Sequence, residues 1–181
     1  MLFSLYTYMT KKILITGKKN IDSFVPKKKR KRLESKKWEN VSYLKDMDMK
    51  KQIELLNRLY LNEAYDGREF VEKEVQRKLA SYKRQDLKNE IYDENYFIKY
   101  DDTLEKLVIS KLRCNYCRCE CKLMYESVRE KQQWTLDRLD NDQGHNKDNV
   151  VICCLECNIK RGTLDDEKFK FAKQMKIIKK Y

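Results

Sequence analysis

Residues 134–162 read WTLDRLDNDQGHNKDNVVICCLECNIKRG, and the reading of this stretch decides the fold. Trp134 to Leu139 alternates apolar and polar side chains, the pattern of a half-buried strand. Asp140 to Asp148 is polar with Gly144 near its middle, so it reads as a loop. Val150-Val151-Ile152-Cys153 is β-branched and apolar, a second strand, after which Cys157 and Asn158 enter a turn or helix. Cys154-Leu155-Glu156-Cys157 closes this run, and Cys114-Asn115-Tyr116-Cys117 repeats the same spacing upstream. Two CxxC pairs this far apart in a short chain read as one four-thiolate zinc site of Cys114, Cys117, Cys154 and Cys157. Such a site is closed and tetrahedral, with no position left for a catalytic water.

Cys119 and Cys121 leave the register of the first pair open, since Cys117-x-Cys119-x-Cys121 offers other combinations. Cys153 points away from Cys154 on its strand and reads as a small buried apolar group. Seven cysteines, odd in number and clustered, with no secretory signal read in the apolar opening MLFSLYTYM, speak for a reducing, intracellular setting. They speak against a disulfide framework. No run reaches the eighteen or so apolar residues of a membrane span, so no membrane partner is expected.

The chain has 181 residues, 39% of them charged, with a mean hydropathy of −0.87, which limits it to a small core. Its net charge of +12 is concentrated. Twelve Lys and Arg lie between Lys11 and Lys37 against only Asp22 and Glu34. Residues 1–37 therefore read as a basic, poorly ordered arm. Within it Pro26 precedes Lys27, Lys28, Lys29, Arg30, Lys31 and Arg32, which closely resembles a monopartite nuclear localisation signal. An import receptor and nuclear localisation are one expectation from this run. Direct contact with nucleic-acid phosphates is the other, and plain solubility is the bland alternative.

Residues 38–100 read as a helical extension. Ile53, Leu56 and Tyr60 recur at helical spacing, as do Val71, Val75, Leu79 and Tyr82, with Asp66-Gly67 as the break between two helices. Leu104, Leu107, Val108 and Leu112 predict a third helix, capped by Asp101-Asp102-Thr103. These stripes read as core that braces the zinc domain and carries no chemistry of its own. Thr163 or Asp165 starts a last helix, with Phe169, Ala172, Met175 and Ile178 on its apolar side. Its lysines read as a solvated face or a secondary phosphate contact. The expected fold class is α+β, a mostly helical N-terminal part followed by a small zinc-stapled domain over 101–181.

Strand, loop, strand and helix between two thiol pairs resemble the HNH nucleases in their zinc-bound ββα-metal form. The resemblance rests on CNYC, LDRLDN, GHNKDNVV and CLECN..RG, covers about Asp101–Lys173, and is similar to phage and large-DNA-virus members. It implies a metal-dependent DNA endonuclease that hydrolyses phosphodiester bonds with one divalent ion. Asp137 matches an acidic metal ligand at the end of the first strand. Asn149 matches the middle Asn, which ties down the loop by hydrogen bonds. Asn158, nine residues later, matches the second metal ligand, and the oxygen pair suits Mg²⁺ or Mn²⁺. The family's water-activating His aligns with Arg138, whose guanidinium cannot accept a proton but can grip a phosphate. Two readings stand for His145, the one imidazole of the chain: a base that swings over the site, or a solvated loop residue. A metal-bound hydroxide without a protein base is a third route. A catalytically weak HNH-like zinc module that binds nucleic acid is the alternative function, and a zinc-ribbon interaction protein ranks last.

Overall fold

The computed structural model describes residues 16–18 and 47–175. The chain divides into two units, Met1–Lys31 and Arg32–Tyr181, and the fold below is that of the second. The readings placed on Lys27–Arg32, and the apolar position Ile178, lie outside the described residues.

Helix α1, Met49–Tyr60, starts where the Asp48 carboxylate accepts the Lys51 N–H at 2.8 Å. It buries Leu56 and Leu59, while Tyr60 faces outward, so the apolar side is set by positions 52, 56 and 59. Gln52 is buried among them because its amide works: Oε1 accepts the Met124 N–H at 3.0 Å and Nε2 donates to the Met47 carbonyl. Helix α2, Arg68–Lys88, follows Gly67, whose φ of 81° makes the sharp entry that the Asp66-Gly67 break predicts. Val71, Val75 and Leu79 are buried on one stripe, and that stripe continues through Tyr82 to Asp86.

Helix α3, Tyr100–Ile109, is capped two residues before the predicted start at Asp101. Lys99 is the N-cap, and its N–H is held by the Asp102 carboxylate at 3.2 Å. The helix also stops short of Leu112. Lys111 and Leu112 both adopt a φ of 51°, which turns the chain towards Cys114 while Leu112 itself stays fully buried.

Strands β1, Trp134–Arg138, and β2, Val150–Cys154, form a two-stranded antiparallel sheet in which Trp134 faces Cys154 and Arg138 faces Val150. A short 3-10 turn, Lys147–Asn149, leads into β2. Helix α4, Leu155–Arg161, follows without a break, and helix α5, Asp166–Gln174, starts at Asp165, whose carboxylate accepts the Lys168 N–H at 2.9 Å. β1 is not half-buried as its alternation predicts. Trp134 and Leu136 enter the apolar core, but Thr135 and Asp137 on the other face are buried too. Helix α4 packs against the hairpin, and its Asn158 and Arg161 bond to β1 side chains. The result is an α+β unit in which α1, α2, α3 and the hairpin share one core. Among the described residues no helix is long and apolar enough to cross a membrane.

Candidate metal centre and adjoining cleft

The knuckle carrying Cys114 and Cys117 is fixed to β2 by the Asn115 N–H, which donates to the Ile152 carbonyl at 2.9 Å. Cys154 ends β2 and Cys157 lies in the first turn of α4. These four Sγ atoms lie within 4.8 Å of one another, with Cys117 and Cys154 3.9 Å apart. Zn–S bonds of about 2.3 Å in a tetrahedron require sulfurs about 3.8 Å apart, so the quartet fits zinc. Its chemistry agrees. Hydrogen bonds from the Cys121 and Cys154 thiols hold Cys114 well below the ordinary thiol range, while burial and the Cys114 charge push Cys157 up to about 12. Four thiols this close cannot all ionise without a cation among them.

Cys119 and Cys121 border the quartet, the Cys121 thiol bonding to Cys114 and the Cys119 thiol to Cys117 and Cys154. Cys121 is buried behind Cys114, and the Cys119 carbonyl accepts the Cys114 N–H at 2.9 Å. Cys153 is fully buried on the other face of β2, against the Thr135 hydroxyl. The quartet also organises the helix after it, because the Cys154 sulfur accepts the Cys157 N–H at 3.4 Å and so caps α4.

Beside the metal centre, β1, α4, the 140–149 loop and helix α2 enclose an open cleft of about 760 Å³. Asp137, Arg138, His145 and Asn158 all line it. Asn149 does not, and its role is the loop-tying one. Its Oδ1 accepts the Asp140 N–H at 2.9 Å, and its Nδ2 donates to the Asp140 and Gly144 carbonyls at 2.9 and 3.0 Å.

His145 is not a solvated loop residue. It is 3% exposed, stacked on the Tyr82 ring at 4.6 Å, and held from behind by Asp86 of α2. One Asp86 oxygen lies 2.6 Å from Nδ1, and the other accepts the His145 backbone N–H at 2.6 Å. A carboxylate accepts, so Nδ1 carries the ring proton and Nε2 keeps its lone pair. Burial lowers the imidazole pKa, the Asp86 carboxylate opposes this, and the Arg138 charge lowers it further. Burial thus favours the neutral ring. Close approach of the loop to α2 depends on Gly144, where a Cβ would stand 2.6 Å from the Ile91 carbonyl and 3.0 Å from the Asp86 carboxylate.

Asp137 meets a partner that sequence reasoning missed. Arg161 is buried, and its Nε and Nη2 donate to the two Asp137 oxygens at 2.6 and 3.2 Å. The Tyr116 hydroxyl donates to Oδ2 at 2.6 Å, and burial followed by the Asp137 charge raises that phenol well above its ordinary value, so it stays protonated. Three of the roughly four lone-pair positions of the carboxylate are thus taken. Asn158 directs its Nδ2 to the Thr135 hydroxyl and the Leu136 carbonyl, at 3.2 and 3.1 Å, which leaves its Oδ1 as the free end. As arranged, Asp137 and Asn158 do not fit a resident Mg²⁺ or Mn²⁺. A hard dication would have to share its carboxylate with a guanidinium 2.6 Å away.

Arg138 donates through Nη1 to the Gln143 carbonyl at 3.2 Å and makes no ion pair among the described residues. The chain matches no protein-family model, no curated protein and no solved structure.

Proposed function

We propose that the protein is a DNA endonuclease of the HNH type, hydrolysing phosphodiester bonds in the cleft beside its zinc centre. The observation that carries this reading is the Asp86–His145 pair, a buried imidazole held by a carboxylate at the wall of a cleft shared with Arg138. It supplies the proton acceptor that Arg138, standing at the family's His position, cannot be. His145 Nε2 takes the proton of the attacking water, and Asp86 stabilises the imidazolium that forms. Arg138 grips the phosphate and offsets the charge that grows on it in the transition state. Arg161 and Tyr116 fix Asp137, and through it the end of β1. Zinc has no place in the chemistry and holds the hairpin to α4. A divalent ion, in the family's reaction, polarises the scissile phosphate. No step is assigned to one here, because Arg161 occupies its carboxylate.

Supercoiled plasmid incubated with zinc-loaded protein is expected to be nicked, with and without added Mg²⁺ or Mn²⁺ compared side by side. His145→Ala is expected to reduce nicking by about 10²-fold or more. Nicking that survives both His145→Ala and Asp86→Asn would come from another site or a contaminant. The second reading, a zinc module that binds nucleic acid without cutting it, is favoured by the Asp137–Arg161 pair. Salt-sensitive DNA binding with no cleavage under any divalent ion would select it. The basic run Lys27–Arg32 belongs to either reading as an added phosphate contact, and its import role is tested by deleting it and following nuclear accumulation.

A further inference from the structure

Helix α2 contributes more to the cleft than the acid behind His145. Arg77, Ser81 and Arg84 recur at spacings of four and three, so they share one face of the helix, and all three line the cleft. Arg84 is exposed and makes no ion pair among the described residues. Arg77 pairs with Glu74 at 2.8 Å and bonds to the Tyr125 hydroxyl, which orients its guanidinium, while its side chain stays 57% exposed and open to a further anion. On the opposite wall Arg138 is likewise without a carboxylate. The one carboxylate lining the cleft, Asp137, is already neutralised by Arg161. The cleft therefore presents guanidinium groups from α2 and from β1, and no unpaired carboxylate among its lining residues.

We infer that the Arg77–Arg84 face of helix α2 is a docking surface for the sugar-phosphate backbone of DNA, flanking the phosphate held at Arg138 and His145. This rests on the nuclease reading for the identity of the polyanion. Seven residues along a helix span about 10 Å, which matches the rise of about three nucleotides of one strand. Guanidinium forks suit phosphate oxygens, and an acidic peptide offers no such regular repeat. Arg84 and Asp86 also lie two residues apart on one rigid element. The helix that seats the strand thus holds the imidazole in register with it. The basic arm supplies charge, whereas this face supplies position.

The test measures binding of a 20-base-pair fluorescent DNA duplex by anisotropy, using the full zinc-loaded chain with no added Mg²⁺ or Mn²⁺, across a salt series. Arg77→Gln/Arg84→Gln is expected to weaken binding by about tenfold or more. It is also expected to flatten the slope of log affinity against log salt by about 1.8, the loss of two phosphate contacts. Lys51→Gln, an exposed cation of α1 away from the cleft, is expected to leave the slope unchanged. A wild-type slope in the double variant overturns the proposal, and so does an equal loss in Lys51→Gln, which would mean that any surface charge serves. If the double variant loses its two contacts while the wild-type protein never nicks plasmid, the docking surface stands and the nuclease reading falls. Both arginines are exposed, so the fold is expected to survive their replacement, and an unchanged circular dichroism melt checks it.

Discussion

Replacing Asp86 by Asn keeps the shape of the side chain and changes only which atoms donate. Asp86 is fully buried and accepts two N–H groups, one from the His145 backbone and one from its ring. An amide has one oxygen. If that oxygen keeps the backbone N–H, the new NH₂ faces Nδ1, which must become an acceptor. The ring proton then moves to Nε2, the atom that has to receive a proton from water. The stability cost is that of exchanging charged for neutral hydrogen bonds, on the order of 1–2 kcal/mol. The catalytic cost is the whole general-base contribution, about 10²–10⁴-fold, or roughly 3–5 kcal/mol of barrier. Single-turnover plasmid nicking separates the two, provided urea unfolding shows Asp86→Asn still folded under assay conditions. Asp86→Asn and His145→Ala are expected to be equally slow, and the double variant no slower than either. In the wild-type protein burial lowers the imidazole pKa, so nicking is expected to persist below the ordinary histidine range before it falls with protonation of the ring. A folded Asp86→Asn protein that nicks at a rate within threefold or so of wild type would refute the assignment of His145 as the base.

Stripping zinc with a strong chelator, or replacing Cys154 by Ser, is expected to unfold the hairpin and α4. Structural zinc in finger peptides binds with about 10–16 kcal/mol, more than so small a core can replace; circular dichroism and a metal content of one zinc per chain check it. Arg161→Met leaves the buried Asp137 carboxylate without its cation and is expected to cost about 3–5 kcal/mol in urea unfolding. Adding Asp137→Asn to it is expected to restore much of that loss, because the uncompensated charge is gone. Gly144→Ala forces a Cβ against the Ile91 carbonyl and the Asp86 carboxylate, and is expected to cost about 1–3 kcal/mol and to lower nicking through displacement of His145.

Much of this arrangement was legible in the sequence, for physical reasons. Two distant CxxC pairs signal a site that could hold one shared metal ion, and the four sulfurs come together as read. The β-branched run at Val150 and the alternation at Trp134 marked the two strands that pair in the hairpin. The cleft was harder. Asp86 sits four residues beyond Tyr82 on the stripe of Val71, Val75 and Leu79, and the stripe was read as core only. A carboxylate on the apolar side of a helix was the signal, because burying it demands a partner. His145 looked solvated because Asp142, Gln143, Asn146 and Lys147 surround it, and sequence polarity cannot see a helix 59 residues upstream closing over the loop. Arg161 was hidden for a similar reason: in Lys160-Arg161-Gly162 it reads as a charged helix end, yet it turns inward to Asp137.

The dependence of His145 on α2 has a consequence for dissection of the chain. The stretch that resembles a nuclease begins near residue 101, and an excision at that boundary would retain the four cysteines of the quartet, the hairpin and Asn158. It would also amputate the acid that sets the imidazole's tautomer. Such a fragment would keep the four cysteines of the quartet, but it would lose the α1 and α2 side of the shared core along with the carboxylate that holds His145. Bringing a segment containing Asp86 back in trans would be the way to rescue it.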